Sequence, residues 1–243
     1  MSEGAVGFDA ALAVRRVALG FWLDFAPIVT LGFGLLTLSR LAGAVVDPAG
    51  PAATVVAVLA GFGAALFATI VSFGVVERLR GRPLDPGAFA SRGLIASPPG
   101  FSVALLLGAL LVLAAIVALL LPPAAALGLY AAAGFGVVRV IAAVPAALAE
   151  RLAPVDALRR ALALGAGQVG GVVALVGLVA LALGPAWLIV DALVKGIDGD
   201  TSVTLASPGL WLRAVFELLA WSVVAVVPGV AYVGLVEAEE RPR

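Results

Sequence analysis

Long stretches without a charged residue, separated by short charged islands, set the pattern of this chain: residues 25–39, 48–76, 93–138, 161–190 and 218–236 contain no Asp, Glu, Lys or Arg. A helix needs about 20 mostly apolar residues, rising ~1.5 Å each, to cross a hydrocarbon layer of ~30 Å. The stretch 93–138 is too long for one crossing and is interrupted by Pro122-Pro123, where a helix must stop, so it reads as two helices in a tight hairpin. The pattern predicts an all-α polytopic membrane protein, a single integral domain over 1–243. Its six transmembrane helices fall at about 22–43, 53–76, 101–121, 124–149, 169–192 and 209–237.

Before each odd-numbered span lies a short arginine-bearing segment with apolar residues at helical spacing, at 8–19, 86–95 and 155–164. Asp85-Pro86 gives the second of these an N-cap followed by proline at the first helical position. In the third, Val155, Leu158 and Leu162 share one face and Asp156, Arg159 and Arg160 lie elsewhere, as in an amphipathic helix lying in a membrane interface. The order Glu77-Arg78-Leu79, Pro83-Leu84-Asp85, Arg92 is echoed by Glu150-Arg151-Leu152, Pro154-Val155-Asp156, Arg160. The echo predicts three repeats of interfacial helix plus helical hairpin around a pseudo-threefold axis. Arg16, Arg92 and Arg160 mark the short helices, and Glu77, Glu150 and Glu237 close the even-numbered spans, at spacings of about 70 to 90 residues.

Charge then orients the bundle. Arg15, Arg16, Arg78, Arg80, Arg82, Arg92, Arg151, Arg159, Arg160, Arg241 and Arg243 fall on one side of the predicted membrane, and only Arg40 and Lys195 on the other. An excess of basic residues stays in the cytoplasm, so both termini and the three short helices are expected there, with Asp47, Asp198 and Asp200 outside. Trp187 and Trp211 fall near the outer ends of the fifth and sixth spans, where indoles favour the headgroup level. The N-terminal segment has no apolar core of the signal-peptide kind, so cleavage and secretion are not expected. The 14 arginines to one lysine, with abundant Ala and Gly, suggest a GC-rich bacterial coding sequence and hence a bacterial cytoplasmic (inner) membrane.

Composition removes several classes of function. A chain with 63% hydrophobic and 12% charged residues lies outside the globular range. Zero net charge argues against a nucleic-acid partner. Without cysteine there is no disulfide or thiolate chemistry, and without histidine there is neither the usual general base nor the commonest metal ligand. No catalytic residues, no metal site and no cofactor are expected. Gly170, Gly177 and Gly184 recur every seven residues, as do Gly61, Ala65, Ala68 and Ser72 at helical spacing, and read as helix-packing faces.

The stretch Val144-Pro145-Ala146-Ala147 to Glu150, then Pro154-Val155-Asp156-Ala157-Leu158-Arg159-Arg160-Ala161 and Gly165 to Gln168, resembles the signature of the glycerophosphoryl diester phosphodiesterase membrane-domain family and its stand-alone relatives. The close of the sixth span, Ala231-Tyr232-Val233-Gly234-Leu235, is similar to that family's tyrosine-containing end. The resemblance covers about residues 8–237. Ala161 stands where many relatives carry serine, and Gly167-Gln168 where they have glycine followed by Asn or a basic residue. It implies a six-span domain without the separate hydrolase domain from which the family takes its name.

Charges placed inside the membrane are the remaining lead, since each costs at least ~2.5–3.5 kcal/mol at the bilayer centre. Arg139 stands eleven residues before Glu150, about 16 Å along an unbroken helix and so near mid-membrane. Ala132, Gly136, Ala143 and Ala147 would share its face, which aims it into the bundle, tied to Asp24, Glu217 or nearby carbonyls. Arg213 and Glu217 are four apart and can pair along the sixth span; Glu217 is expected near the outer boundary and Asp24 near the inner one. The expected function is that of a non-enzymatic integral membrane protein organising membrane lipids, a protein partner or a second copy at the cytoplasmic leaflet. The alternative is a transporter or channel for a small or anionic substrate that uses Arg139.

Overall fold

A computed structural model describes residues 8–47, 50–198 and 205–240. Every regular element among them is helical, and six helical stretches are long and apolar enough to cross a membrane. In chain order, α1 is Ala10–Leu23 and α2 is Phe25–Gly32; a π-turn, Phe33–Thr37, leads into α3, Leu38–Val45. Then come α4 (Pro51–Leu79), α5 (Pro86–Ala96), α6 (Pro98–Leu119), α7 (Pro123–Arg139) and α8 (Ala143–Glu150). The chain continues through α9 (Pro154–Leu164), α10 (Val169–Asp198) and α11 (Pro208–Glu240). The protein is a multi-pass all-α membrane protein whose spans are α2–α3, α4, α6, α7–α8, α10 and α11.

Proline writes the starts. Six helices, α4, α5, α6, α7, α9 and α11, begin with it, a position where the missing N–H would have no intrahelical partner and the fixed φ suits the helix. Asp85 caps α5 as its sequence suggests, its side chain accepting from the Ala88 amide at 2.7 Å, and Asp9 caps α1 through the Leu12 amide at 3.0 Å.

Two expected spans are not continuous. Asp24 interrupts the first, at φ −110 and ψ 23, and separates α1 from α2. The fourth breaks at residues 140–142 between α7 and α8. Pro145, in the first turn of α8, has no N–H to offer the Ile141 carbonyl, so the helix restarts there instead of passing through.

The sixth span is the axis. More than half of its most apolar 18 residues, 56%, is buried, against 11–22% for the other five spans. Burial also has a direction along the bundle. The second half of α4 (67–76), α8 (143–148) and the second half of α11 (225–233) carry most of the buried side chains, whereas the first part of α4, the second half of α6 and all of α7 are largely exposed. The bundle is tight at the end carrying α1, α5 and α9 and splayed at the other.

At the tight end the short helices seat large side chains against glycine. A methyl group at Gly74 would overlap the ring of Phe89, which is fully buried. Phe8 lies between α10 and α11, where a Cβ at Gly171 or Gly234 would approach its ring to 2.8 Å. Of the small-residue faces read from spacing, Gly170, Gly177 and Gly184 have no atom within 4 Å of a would-be Cβ, and neither has Gly61, whereas Ser72 on the Gly61 face is fully buried with its carbonyl against Gly229. In α9 the face turned inward is also the smaller one, Ala157, Ala161 and Leu164, while Val155 and Leu162 point out and Leu158 is half-buried. Small residues let a short helix lie close to its neighbours, which outweighs burying the larger side chains when lipid can cover those.

Gly74→Ala is expected to destabilise the protein by ~1–3 kcal/mol through overpacking, lowering its unfolding temperature in detergent. Adding Phe89→Leu should recover part of that loss; no recovery would mean the notch is not what holds α5.

Candidate functional site

The polar side chains gather at the two ends of the bundle. At the tight end the last turns of α4, α8 and α11 present carboxylates and the short helices present arginines. Arg16 of α1 donates to Glu237 of α11 at 2.8 Å. Arg160 of α9 reaches Glu239 with two parallel bonds, 2.9 and 2.8 Å, and its Nε lies 3.2 Å from both oxygens of Glu150. Bonding to Glu239, reinforced by Glu150, holds the Arg160 guanidinium above its already high pKa. Tyr232, buried in α11, donates its hydroxyl to Glu150 at 2.9 Å and accepts from Arg80 at 3.2 Å, and the Arg80 guanidinium sits 5.6 Å from the Tyr232 ring centroid. One connected chain of polar groups thus ties α9 and α8 through α11 to the end of α4.

Asp24 lies under this layer, only 2% exposed. Arg78 of α4 engages both of its oxygens in a fork, the geometry in which a guanidinium matches a carboxylate best. Sequence reasoning placed Asp24 near the inner boundary but missed its partner; the signal available was the Glu-Arg-Leu echo, which marks Arg78 and Arg151 without saying what they meet.

Beside the network a cavity of about 500 Å³ opens between the end of α4, the α5–α6 junction and the end of α8. Arg80, Arg82, Arg92 and Arg151 line it together with one carboxylate, Glu77. Arg82 donates to Glu77 at 2.8 Å. Arg92 and Arg151 have no side-chain partner among the described residues. Arg151 takes a left-handed conformation, φ 52, directly after α8. Glycine adopts that conformation freely at a helix end, and a residue with a side chain gives up on the order of 1 kcal/mol to do so.

At the splayed end a second cavity, about 650 Å³, lies between the π-turn and α3, α4 and α11. The expected Arg213–Glu217 pair is there at 3.0 Å, and Arg40 reaches the same Glu217 oxygen at 3.0 Å. Arg213 also faces Asp191 at 3.9 Å and lies 5.5 Å from the Trp187 ring centroid, and Asp191 binds Lys195 at 2.7 Å. Glu217 is thus held between two arginines, with a side chain only 14% exposed. The hydroxyl of Thr37, buried in the π-turn, has no hydrogen-bond partner among the described residues. Between the cavities the seam is filled by side chains such as Ile28, Val71, Val75, Val226 and Val230, all fully buried.

Arg139 does not join either end as expected. It is exposed, ends α7, and meets neither Asp24, which is taken by Arg78, nor Glu217. The break at 140–142 invalidates the straight-helix placement, and the Arg139 carbonyl lies beside Gly165 in the turn between α9 and α10. The transport alternative, which relied on an interior Arg139, loses that support. Asp198, Asp200, Arg241 and Arg243, used to orient the chain, have side chains outside the described residues. Among the described residues no cluster of metal-ligating side chains is present. No family model matches the chain, and no curated protein or solved structure matches it.

Arg78→Gln should cost ~3–5 kcal/mol, because it strands a buried carboxylate; the double change Asp24→Asn with Arg78→Gln should cost clearly less. Equal losses in thermal unfolding would show that Arg78 acts through packing alone. Arg139→Leu, by contrast, should change stability by no more than ~0.5 kcal/mol, as expected at an exposed site without partners.

Proposed function

We propose that the protein is a non-enzymatic integral membrane protein that organises lipid at the leaflet into which its arginine-rich end projects. The observation that carries this reading is the surface of the three short helices. Each turns large apolar side chains outward at the same end as the arginines: Leu19 and Trp22 on α1, Leu94 and Ile95 on α5, Val155 and Leu162 on α9. Ile95 is 81% exposed and Trp22 68%. Beside them stand the exposed Arg15 and Arg159. Apolar side chains outward with arginine alongside is the arrangement of helices that rest in a headgroup layer, the apolar part in the acyl boundary and the guanidinium at phosphate level. Each basic residue near an anionic surface adds about 1 kcal/mol of attraction.

The leaflet is the cytoplasmic one of a bacterial inner membrane, with both termini inside, by the excess of arginine at this end. The repeat of short helix plus hairpin gives the function its form, three interfacial helices around one axis. The resemblance to stand-alone relatives of the glycerophosphoryl diester phosphodiesterase membrane domain implies a six-span domain without the hydrolase, and this reading needs none.

Reconstituted in mixed phosphatidylglycerol and phosphatidylcholine and extracted with its lipid shell, the protein should retain phosphatidylglycerol in excess of the bulk ratio. The variant Arg15→Gln, Arg159→Gln, Ile95→Ser, Leu162→Ser should bring that excess down toward the bulk value. A wild-type shell at the bulk ratio would remove the reading. Reporter fusions after Glu77 and Glu150 should both signal cytoplasm; a periplasmic signal from both would reverse the leaflet, and one from either alone would remove the six-span topology.

A further inference from the structure

We propose that the cavity lined by Arg80, Arg82, Arg92 and Arg151 binds a phosphate-bearing lipid headgroup, at the place where the other two repeats close with arginine–carboxylate pairs. This deepens the lipid-organising reading and rests on it for the source of the phosphate. The argument starts from the ion pairs. Arg160 takes Glu150, the glutamate that closes the span before its helix, and Arg16 takes Glu237, which closes the last span and so precedes α1 around the ring. By the same rule Arg92 should take Glu77. Glu77 is instead held by Arg82. Arg82 belongs to the Arg80-Gly81-Arg82 stretch between Leu79 and Pro83; the echoing linker has only Ala153 between Leu152 and Pro154. Gly81, at φ 76, makes the turn, and the Arg82 amide bonds back to the Glu77 carbonyl at 2.9 Å, which sets the Arg82 side chain over Glu77. The longer linker therefore takes Arg92's carboxylate away.

A second carboxylate is absent by the same comparison. Arg78 binds Asp24, which stands eight residues beyond Arg16. Eight residues beyond Arg92 stands Gly100, closely packed against Leu148, so Arg151, the counterpart of Arg78, meets no acid among the described residues. The two arginines left without acids among the described residues and the two brought by the longer linker all face one space of about 500 Å³, and among the described residues lining it there is a single carboxylate. Arg80 is held in place by the Tyr232 hydroxyl and ring. A phosphoryl group answers this arrangement, because its oxygens accept paired guanidinium donors from several directions and its charge offsets several cations. Ile95, Pro98 and Leu148 form the apolar part of the wall, suited to the carbon skeleton behind a headgroup. A monoester, with up to two negative charges, suits the excess of arginine better than a diester with one.

The test uses the whole protein in nonionic detergent, titrated calorimetrically with dihexanoyl phosphatidic acid, dihexanoyl phosphatidylcholine and inorganic phosphate. Phosphatidic acid should bind saturably, at least about tenfold tighter than phosphatidylcholine, and Arg92→Gln with Arg151→Gln should weaken it about tenfold or more, as expected for loss of charge-assisted bonds. Arg139→Gln, outside the cavity, should leave it unchanged. Arg82→Gln frees Glu77 for Arg92, so it should weaken binding while keeping the fold; it replaces the double variant if that does not fold. Phosphatidylcholine binding as tight as phosphatidic acid, or no loss in the arginine variants, overturns the cavity as a phosphate site. Inorganic phosphate binding as tightly as the lipid overturns the lipid as its source. Failure here with phosphatidylglycerol still enriched in the lipid shell leaves the lipid-organising reading standing; loss of that enrichment removes it whatever the cavity binds.

Discussion

Asp24 is the one charged side chain among the described residues that the fold shuts away from solvent, and the tight end of the bundle is arranged to make that tolerable. A carboxylate in such a place is stable only with its oxygens matched, and Arg78 matches both. The pairing has a geometric result. Asp24 is also the joint between α1 and α2, so fixing it to the last turn of α4 fixes where the chain turns from the short helix into the first span. With that corner set, α1 can lie along α10 and α11 and bring Arg16 to Glu237.

The same logic spreads around the end. Glu150 draws on Arg160 and Tyr232, Glu239 on Arg160, and Glu77 on Arg82, so the carboxylates at the ends of three spans are each held by something other than their own helix or by the linker that follows it. Partly exposed pairs of this kind contribute little one by one. Their value is positional, since each connects two elements that hydrophobic contact alone would allow to slide or rotate. The glycine notches under Phe8 and Phe89 do the complementary work without charge, fixing depth where the ion pairs fix azimuth.

How much of this could be read from the residues follows from what each feature depends on. The six spans were legible because a hydrocarbon layer imposes a minimum length on apolar stretches, and 51–79 or 98–119 could hardly read otherwise. The Asp85 cap and the Arg213–Glu217 pair were legible because both are local, decided within four residues. Arg139 was expected to face the bundle interior on an unbroken helix, and the break at 140–142 leaves it exposed instead. Gly170, Gly177 and Gly184 were misread because a face of small residues says what could pack there and not which way the helix is turned. Arg78 with Asp24, and Arg80 with Tyr232, escaped notice because a partner 54 or 152 residues away is chosen by the rotation of two helices, which hydropathy does not encode.

The unequal packing along the bundle has a mechanical corollary. Helices drawn together by ion pairs and glycine notches at one end, and spread around a cavity of about 650 Å³ at the other, displace different areas from the two halves of a bilayer. Such a tapered inclusion sits at least strain where the sheet bends toward its narrow end, so the position of the protein in a membrane becomes coupled to the local shape of that membrane. The short helices α1, α5 and α9 work against the taper, adding girth at the narrow end, and the balance between the two sets which curvature the molecule prefers.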